Sequence, residues 1–202
     1  MINLDAFKDR SPNPMGRLRK SAVLILIMET ERCQFLILEK RALSLRSQPG
    51  DISLPGGRIE DGETPAEAAV RETCEELGVA AVDIELIGPL DYYVTHGGAI
   101  IHPFVARTKE QTFMPNPAEV DRLIFVPLEW LMQEEAEIFS LHIRPKLDED
   151  FPYDRIEGGR NYKFSEAKVD EYFYHFNGHN IWGVTARIIH QFIEILKAGQ
   201  SI

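Results

Sequence analysis

The stretch GDISLPGGRIEDGETPAEAAVRETCEELGV, residues 50–79, decides how the rest of the sequence is interpreted. It contains a pair of glycines, Gly56 and Gly57, followed by a segment that crowds together Glu72, Glu75 and Glu76. On a helix, like charges three and four residues apart destabilise the structure by a few tenths of a kcal/mol per pair. Two explanations stand at this point: a solvated acidic face, or a bound cation that relieves the repulsion.

Residues 64–78 carry the start and stop signals of one helix. Thr64 is a suitable N-cap, Pro65 fits the first helical position, and Glu67 completes a capping box, while Gly78 predicts the end. At about 100° per residue, the apolar positions form one arc and the three glutamates fall on the opposite arc. The apolar arc consists of Ala66, Ala69, Val70, Thr73, Cys74 and Leu77.

Gly56 and Gly57 are predicted to end a strand. From Gly57 onward, seven residues stand at a fixed spacing, G-x5-E-x7-R-E-U-x-E-E-x-G-U, where U is a bulky aliphatic residue. They are Gly57, Glu63, Arg71, Glu72, Glu75, Glu76 and Gly78. A chance match at one starting position is on the order of 10⁻⁸. The stretch resembles the Nudix box. Thr73 departs from the aliphatic preference but keeps a β-branched methyl group.

The Nudix resemblance implies an α/β (α+β) fold with a mixed β-sheet sandwiched between α-helices, and a metal-dependent pyrophosphohydrolase. Carboxylate oxygens suit Mg²⁺ or Mn²⁺, so Glu72, Glu75 and Glu76 are the implied metal ligands and catalytic residues, with the Gly57 carbonyl as a further ligand. Glu72 is alternatively the general base, and the sequence leaves both roles open.

A brace between the loop and the helix is a second implication of the Nudix box. Arg71 and Glu63 have opposite charges and stand at fixed positions in the pattern. They are expected to hold the loop against the helix, and Arg71 is counted with the catalytic residues for that reason.

A second pattern precedes the box and resembles the signature of the coenzyme A pyrophosphatase branch, L-L-T-x-R-[SA]-x3-R-x3-G-x3-F-P-G-G. Glu39 stands in place of the threonine and Leu54 in place of the phenylalanine. These two departures weaken the substrate assignment and leave the catalytic one intact. The matching residues are Arg41, Ala42, Arg46, Gly50, Pro55, Gly56 and Gly57.

The second resemblance implies coenzyme A or a derivative as the substrate. Arg41 and Arg46 are the expected phosphate ligands, because guanidinium groups pair bidentately with phosphate, and Gly56 and Gly57 are the expected backbone contacts. The alternative for either arginine is an ion pair with a loop carboxylate such as Asp51 or Glu60. Two other functions stay open: hydrolysis of ADP-ribose or another nucleoside diphosphate derivative, and nucleotide binding by a non-catalytic regulator.

The presence of all three glutamates argues against a non-catalytic regulator. The composition of the chain limits the classes of molecule that it is expected to bind. The chain has 202 residues, is 44% hydrophobic and carries a formal net charge of −10. An acidic chain of this kind is a poor nucleic-acid binder, while a small-molecule substrate reaches it through a divalent cation. No membrane segment and no signal peptide are expected, so the cytosol is the expected compartment. The oligomeric state is left open, with a homodimer among the states to be tested.

The pattern along the chain predicts an N-terminal arm over residues 1–20 and a single domain over residues 21–202. Cys33 and Cys74 are expected to be reduced core residues. The segment 146–164, rich in Gly, Pro and charge, is expected to form a surface loop. Apolar patterning predicts strands at 22–28, 33–40, 84–95, 99–107, 121–128 and 170–176, and helices near 128–132 and at 185–197.

Overall fold

The computed structural model describes residues 4–11, 14–16 and 18–199, and residue 6 without its side chain. Part of the predicted N-terminal arm, at residues 1–3, 12, 13 and 17, therefore lies outside the described residues. Within them the strands are β1 (Arg19–Glu29), β2 (Gln34–Arg41), β3 (Ile52–Ser53), β4 (Gly56–Arg58), β5 (Glu85–Pro89), β6 (Tyr93–Val94), β7 (Ala99–Thr108), β8 (Val120–Pro127), β9 (Glu137–Ile143), β10 (Ala167–Phe176) and β11 (His179–Trp182). The α-helices are α1 (Pro65–Leu77), α2 (Leu128–Gln133) and α3 (Gly183–Gly199).

Strands pair in both parallel and antiparallel directions, which confirms the predicted mixed α/β class. The chain forms two compact units. The first contains residues 1–29 and 55–116, and the second contains residues 30–54 and 117–202. Among the described helices, none combines the length and the apolar character that a membrane crossing requires.

The first unit is built around β1, whose central residues Leu24, Ile25 and Leu26 are fully buried. Strand β1 pairs in parallel with β7 and antiparallel with β4, and β5 and β6 pair antiparallel with β7. A parallel pair requires a crossover connection, and the chain between β1 and β7 contains α1. Helix α1 packs on β1, β4 and β7, which places the predicted glutamates beside the Gly56–Arg58 strand.

The second unit contains β2 between β3 and β8, antiparallel to both. A separate antiparallel sheet has the order β11-β10-β9, and α3 packs on its strands β10 and β11. Helix α3 buries one face, made of Ala186, Ile188, Ile189, Phe192 and Ile193. Residues 146–164 form no regular strand or α-helix, as predicted for a surface loop.

Helix α1 begins and ends where the sequence predicts. The Thr64 hydroxyl accepts a hydrogen bond from the Glu67 amide at 3.3 Å, and the Glu67 carboxylate accepts one from the Thr64 amide at 2.9 Å. Gly78 ends the helix in the left-handed region, at φ 66°, and a Cβ there would lie 2.2 Å from the Met114 carbonyl oxygen. Only glycine meets both demands, so the helix end is fixed by residue 78.

The last carbonyl groups of α1 find their partners far along the chain. The Met114 amide donates to the Leu77 carbonyl at 3.0 Å, and the Asn116 amide donates to the Glu76 carbonyl at 2.9 Å. Helix ends leave such carbonyls unpaired unless another segment or water satisfies them. The helix that carries the acidic cluster is therefore held at both ends.

The prediction of which residues of α1 are buried is partly wrong. Its buried residues are Ala68, Ala69, Thr73, Glu76 and Leu77, so Glu76 is buried and Ala66 is not. Glu76 turns inward because its carboxylate accepts a backbone hydrogen bond, described below. Thr73 is fully buried, and its hydroxyl donates to the Ala69 carbonyl at 2.7 Å, so this departure from the box pattern is accommodated inside the helix.

Other differences between the predicted and observed elements arise from strand pairing, which the local sequence does not reveal. The strand predicted over 84–95 is divided into β5 and β6, and the strand predicted to end at Gly56 and Gly57 is divided into β3 and β4. Strands β9 and β11 were not predicted. Both cysteines are free, as expected, but Cys33 is exposed in the turn before β2 and so is not a core residue. The remaining predicted strands and both predicted later helices are present.

The capping box allows a direct test of the helix start. Replacing Thr64 by alanine should lower the free energy of unfolding by about 1 kcal/mol, because the Glu67 amide loses its side-chain acceptor. Thr64→Ser keeps the hydroxyl and serves as the matched control, with a much smaller effect. Denaturant titration monitored by circular dichroism measures both. Equal midpoints for wild type and Thr64→Ala would show that the cap does not stabilise α1.

Candidate active site

The Gly56–Gly57 segment meets α1 through a hydrogen bond to a buried carboxylate. The Gly56 amide donates to Glu76 Oε2 at 2.7 Å, and Glu76 is 5% exposed. A buried carboxylate is costly unless it is paired, and a short, charge-assisted hydrogen bond offsets part of that cost. This bond fixes the position of the Glu76 side chain relative to the loop.

Gly57 lies directly against the carboxylate of Glu72. A Cβ at residue 57 would lie 2.5 Å from the Glu72 carboxyl carbon and from its Oε2 atom. A Cβ there would push the Glu72 carboxylate, the end of a flexible side chain, away from the segment, so glycine permits the close approach. Glu72 and Glu76, four residues apart on α1, therefore both reach the two-glycine segment.

Arg71 binds several acidic groups at once. Its guanidinium donates to both carboxylate oxygens of Glu63, at 2.8 and 3.0 Å, and to the Arg58 carbonyl at 3.2 Å. The same group lies 3.0 Å from Glu72 Oε1 and 3.4 Å from Glu75 Oε2. Hydrogen bonding between Arg71 and Glu63 is the main cause both of a lowered pKa at Glu63 and of a raised pKa at Arg71. The predicted brace between loop and helix is present.

The three predicted metal ligands do not all lie at the two-glycine segment. Glu72 and Glu76 reach the two-glycine segment, whereas the Glu75 side chain is 57% exposed and turns towards Arg71. Within the described part of the chain, no three His, Cys, Asp or Glu side chains are already arranged to hold a metal ion.

The residues at the two-glycine segment nevertheless fit a hard divalent cation. The available donors are carboxylate and backbone carbonyl oxygens, which Mg²⁺ and Mn²⁺ prefer. The missing side chain at Gly57 also leaves the Glu72 carboxylate free to approach the backbone closely. Glu72, Glu76 and the Gly57 carbonyl are the groups that would hold such an ion, with Glu75 next to them on the helix.

The two predicted phosphate-binding arginines belong to the second unit. Arg41 Nη1 lies 3.7 Å from Glu39 Oε1, and Arg46 is exposed. The carboxylate beside Arg41 is therefore that of Glu39, and not that of Asp51 or Glu60, the alternatives expected from sequence. Asp51 contacts Arg41 through its backbone carbonyl, which accepts a hydrogen bond from the Arg41 amide at 2.9 Å. The sequence pattern showed Glu39 only as a departure from a motif. Its position directly after the apolar run of β2 was the available signal.

A groove in the second unit is chemically unsuited to a pyrophosphate. Its volume is about 570 Å³, and it is bounded by apolar residues such as Phe139, Leu141 and Phe173 together with the carboxylates of Glu137 and Glu171. Its described lining contains no lysine or arginine, and none of the site residues predicted from sequence. Like charges would repel an anionic ligand there, so the candidate site remains at α1 and the two-glycine segment.

The chain is similar to known proteins over most of its length. A family model described as the NUDIX domain matches residues 18–147. The chain is 30% identical over 204 residues to a Nudix hydrolase named NudL from Photorhabdus laumondii, covering 96% of this chain and 98% of that protein. It is 33% identical over 120 residues to the peroxisomal coenzyme A diphosphatase ndx-8 of Caenorhabditis elegans, covering 56% of this chain and 51% of that protein.

One solved structure adds evidence on the fold alone. The MutT/nudix family protein from Enterococcus faecalis matches with a TM-score of 0.54 at 14% identity, covering 96% of this chain and 68% of that one. At this identity the likeness carries no information on ligands.

The contact between Gly57 and Glu72 predicts the effect of one added methyl group. Gly57→Ala should weaken Mn²⁺ binding by about 10–100-fold, because the Cβ displaces the Glu72 carboxylate from the segment. Titration of Mn²⁺ followed by electron paramagnetic resonance measures the affinity. Gly88→Ala is the matched control, since a Cβ there meets nothing within 4 Å. Equal affinities for the Gly57→Ala variant and wild type would exclude Glu72 and Gly57 from the metal site.

Proposed function

We propose that this chain, which belongs to the Nudix family of hydrolases and is therefore an enzyme acting on phosphorus-containing acid anhydrides, cleaves coenzyme A or a derivative of it. The Nudix resemblance predicted from the box at residues 57–79 is confirmed by the family match. The proposed reaction breaks the P–O–P bridge with water, and coenzyme A yields 3′,5′-ADP and 4′-phosphopantetheine. An acylated substrate yields the corresponding acyl phosphopantetheine.

One observation carries the substrate proposal: the register of the second pattern immediately before the Nudix box. Arg41, Arg46 and Gly50 stand at the spacing of the coenzyme A pyrophosphatase signature and lead into the glycines that contact the acidic helix. Two relatives named peroxisomal coenzyme A diphosphatases, from C. elegans and Mus musculus, support it at 33% and 29% identity. The chain spans about half the length of each of these two relatives.

The groups of this chain have separable roles in the proposed reaction. Glu76, held by the Gly56 amide, offers a fixed carboxylate at the loop. Glu72, against Gly57, either accepts the proton of the attacking water or serves as a metal ligand. Arg71 holds the loop to the helix through Glu63, so both carboxylates keep their places when the substrate charge arrives.

A divalent metal ion is the cofactor that Nudix hydrolases generally use, and Mg²⁺ or Mn²⁺ is the proposed identity in this protein. When bound, such an ion lowers the pKa of water and offsets the negative charge of a pyrophosphate. The protein contributes the oxygen donors for it and the orientation of the loop.

Hydrolysis of ADP-ribose or another nucleoside diphosphate derivative is the second candidate function. Two departures from the coenzyme A signature support this alternative: Glu39 replaces a threonine and Leu54 replaces a phenylalanine. A non-catalytic regulator is disfavoured, because all seven fixed residues of the box are present. Mg²⁺-dependent assays with coenzyme A, ADP-ribose, NADH and diadenosine compounds separate these substrates.

Loss of one carboxylate tests the catalytic proposal. Glu76→Gln should lower kcat by about two orders of magnitude or more, because the amide removes a metal ligand or its charge. The glutamine oxygen can still accept from the Gly56 amide, so the fold is expected to survive. Glu135→Gln, which neutralises an exposed acid outside the box, is the control with unchanged kcat. Full activity in excess chelator, or in Glu76→Gln, would overturn the proposal.

The substrate proposal is tested with two substrates that share the scissile bridge. Coenzyme A has a 3′-phosphate that dephospho-coenzyme A lacks, and a charge-assisted contact to it contributes about 1.5–3 kcal/mol. If Arg41 or Arg46 binds that phosphate, Arg41→Gln or Arg46→Gln should lower kcat/KM for coenzyme A and leave dephospho-coenzyme A nearly unaffected. Equal losses on both would indicate a pyrophosphate contact or a folding defect. No loss would make both arginines structural.

A further inference from the structure

Strand β2 carries an ionisable pair, Glu39 and Arg41, directly after its apolar run. Glu39 is 1% exposed, and it follows the fully buried residues Leu36, Ile37 and Leu38. Acidic side chains are almost never fully buried unless they are paired. Arg41, two residues further along the strand, brings its Nη1 atom to 3.7 Å from Glu39 Oε1. The pair is therefore a built feature of β2 that the catalytic residues on α1 do not explain.

The hydrogen bonds of the pair are incomplete. The Ser53 hydroxyl donates to Glu39 Oε1 at 2.9 Å, and the same oxygen lies 3.7 Å from Arg41 Nη1. Glu39 Oε2 and Arg41 Nε are both buried, and neither has a hydrogen-bond partner among the described residues. A carboxylate places half its charge on the unpaired oxygen, so burial disfavours the ionised form of Glu39.

The backbone around Arg41 is held from both sides. The pairing of β2 with β8 shifts register between Lys40 and Arg41, as in a β-bulge, and bulges re-aim the side chains beside them. The Arg41 amide donates to the Asp51 carbonyl at 2.9 Å, and the Ala42 amide donates to the Glu119 carbonyl at 2.8 Å. The Arg41 side chain remains 23% exposed, so it is fixed at its base and accessible to a ligand.

The charge of the pair changes near neutral pH. The pKa of Glu39 is raised to about 7: burial is the main cause, the Ser53 hydrogen bond and the charge of Arg41 oppose the rise, and the charge of Glu119 adds to it. Arg41 and Glu119 are the charged groups that face Glu39. Among the other parts of this unit that pack on β2, β3 presents the Ser53 hydroxyl, β8 places Leu123 opposite Glu39, and α2 buries Leu131.

We propose that Glu39 is a positioning residue for the substrate phosphate at Arg41: its buried carboxyl lies beside the guanidinium, and the proton on that carboxyl sets the charge that the phosphate meets. This inference rests on the proposed function, in which Arg41 binds a phosphate of coenzyme A. With Glu39 protonated, the full positive charge of Arg41 faces the phosphate. With Glu39 ionised, its negative charge at 3.7 Å offsets that of Arg41, and the phosphate binds less tightly.

The ratio of kcat/KM for coenzyme A to that for dephospho-coenzyme A isolates this effect. The ratio cancels the pH dependence of the metal and of the attacking water, which both substrates share. Between about pH 6.5 and 8.5 the phosphate monoester is largely dianionic, since its second ionisation is near pH 6. The wild-type ratio should fall about tenfold across this range as Glu39 ionises, the size expected when one charge-assisted contact is weakened. In Glu39→Gln, which is neutral throughout, the ratio should keep its high value at every pH.

Three further variants separate the outcomes. Arg41→Gln should give a low ratio that does not change with pH, and Glu135→Gln should reproduce the wild-type profile. Ser53→Ala removes a hydrogen bond that favours the ionised form of Glu39, so the fall in the ratio should move to higher pH. If Glu39→Gln does not fold, Ser53→Ala still tests the role of Glu39.

Absence of Mg²⁺-dependent cleavage of both substrates by wild type would overturn the coenzyme A proposal, and this inference with it. A wild-type ratio near one that Arg41→Gln leaves unchanged would overturn the phosphate contact of Arg41, and therefore this inference, while cleavage of coenzyme A would stand. A ratio that Arg41→Gln lowers, but whose pH profile is the same in wild type, Glu39→Gln and Ser53→Ala, would overturn the role of Glu39 alone.

Discussion

The hydrogen bond from the Gly56 amide to the Glu76 carboxylate is the contact on which the candidate site depends. It joins a strand of three residues to a helix of thirteen and draws an acidic side chain out of water. Once the segment is held at Gly56, the next residue lies against Glu72, and a side chain there would displace the Glu72 carboxylate. The fixed glycines and glutamates of the box are thus parts of one packing arrangement, not independent requirements.

Arg71 and Arg41 differ in how completely their charges are compensated by neighbouring carboxylates. Arg71 lies among three carboxylates with good hydrogen-bond geometry and contacts Glu63 through both of its oxygens. Arg41 has a single acid beside it at a longer distance, and part of each partner is buried without a hydrogen bond. The first arrangement is a structural tie that changes little with pH. The second leaves both charges incompletely compensated, which is the usual condition of a group that interacts with a ligand.

The sequence predicts those features whose causes are local. The cap at Thr64, the stop at Gly78 and the spacing of the box all depend on neighbouring residues, and each is found where the pattern places it. Strand β9 could not be predicted in this way, because its side chains are mostly exposed and it exists through pairing with β10. The burial of Glu76 and of Glu39 escaped prediction for a related reason. Each depends on a partner, Gly56 or Ser53, that hydrophobic periodicity does not identify.

The C-terminal end of α1 has a consequence for how the enzyme is made. Its final carbonyls are satisfied by the amides of Met114 and Asn116, which leave the ribosome long after the helix itself. Until then, the helix has its N-terminal cap but an open end, and contacts between distant parts of a chain form slowly. The C-terminal end of that helix is therefore completed only after the box itself has been synthesised, and a nascent chain cut off before residue 116 would carry all seven box residues without the amide that pairs with the Glu76 carbonyl.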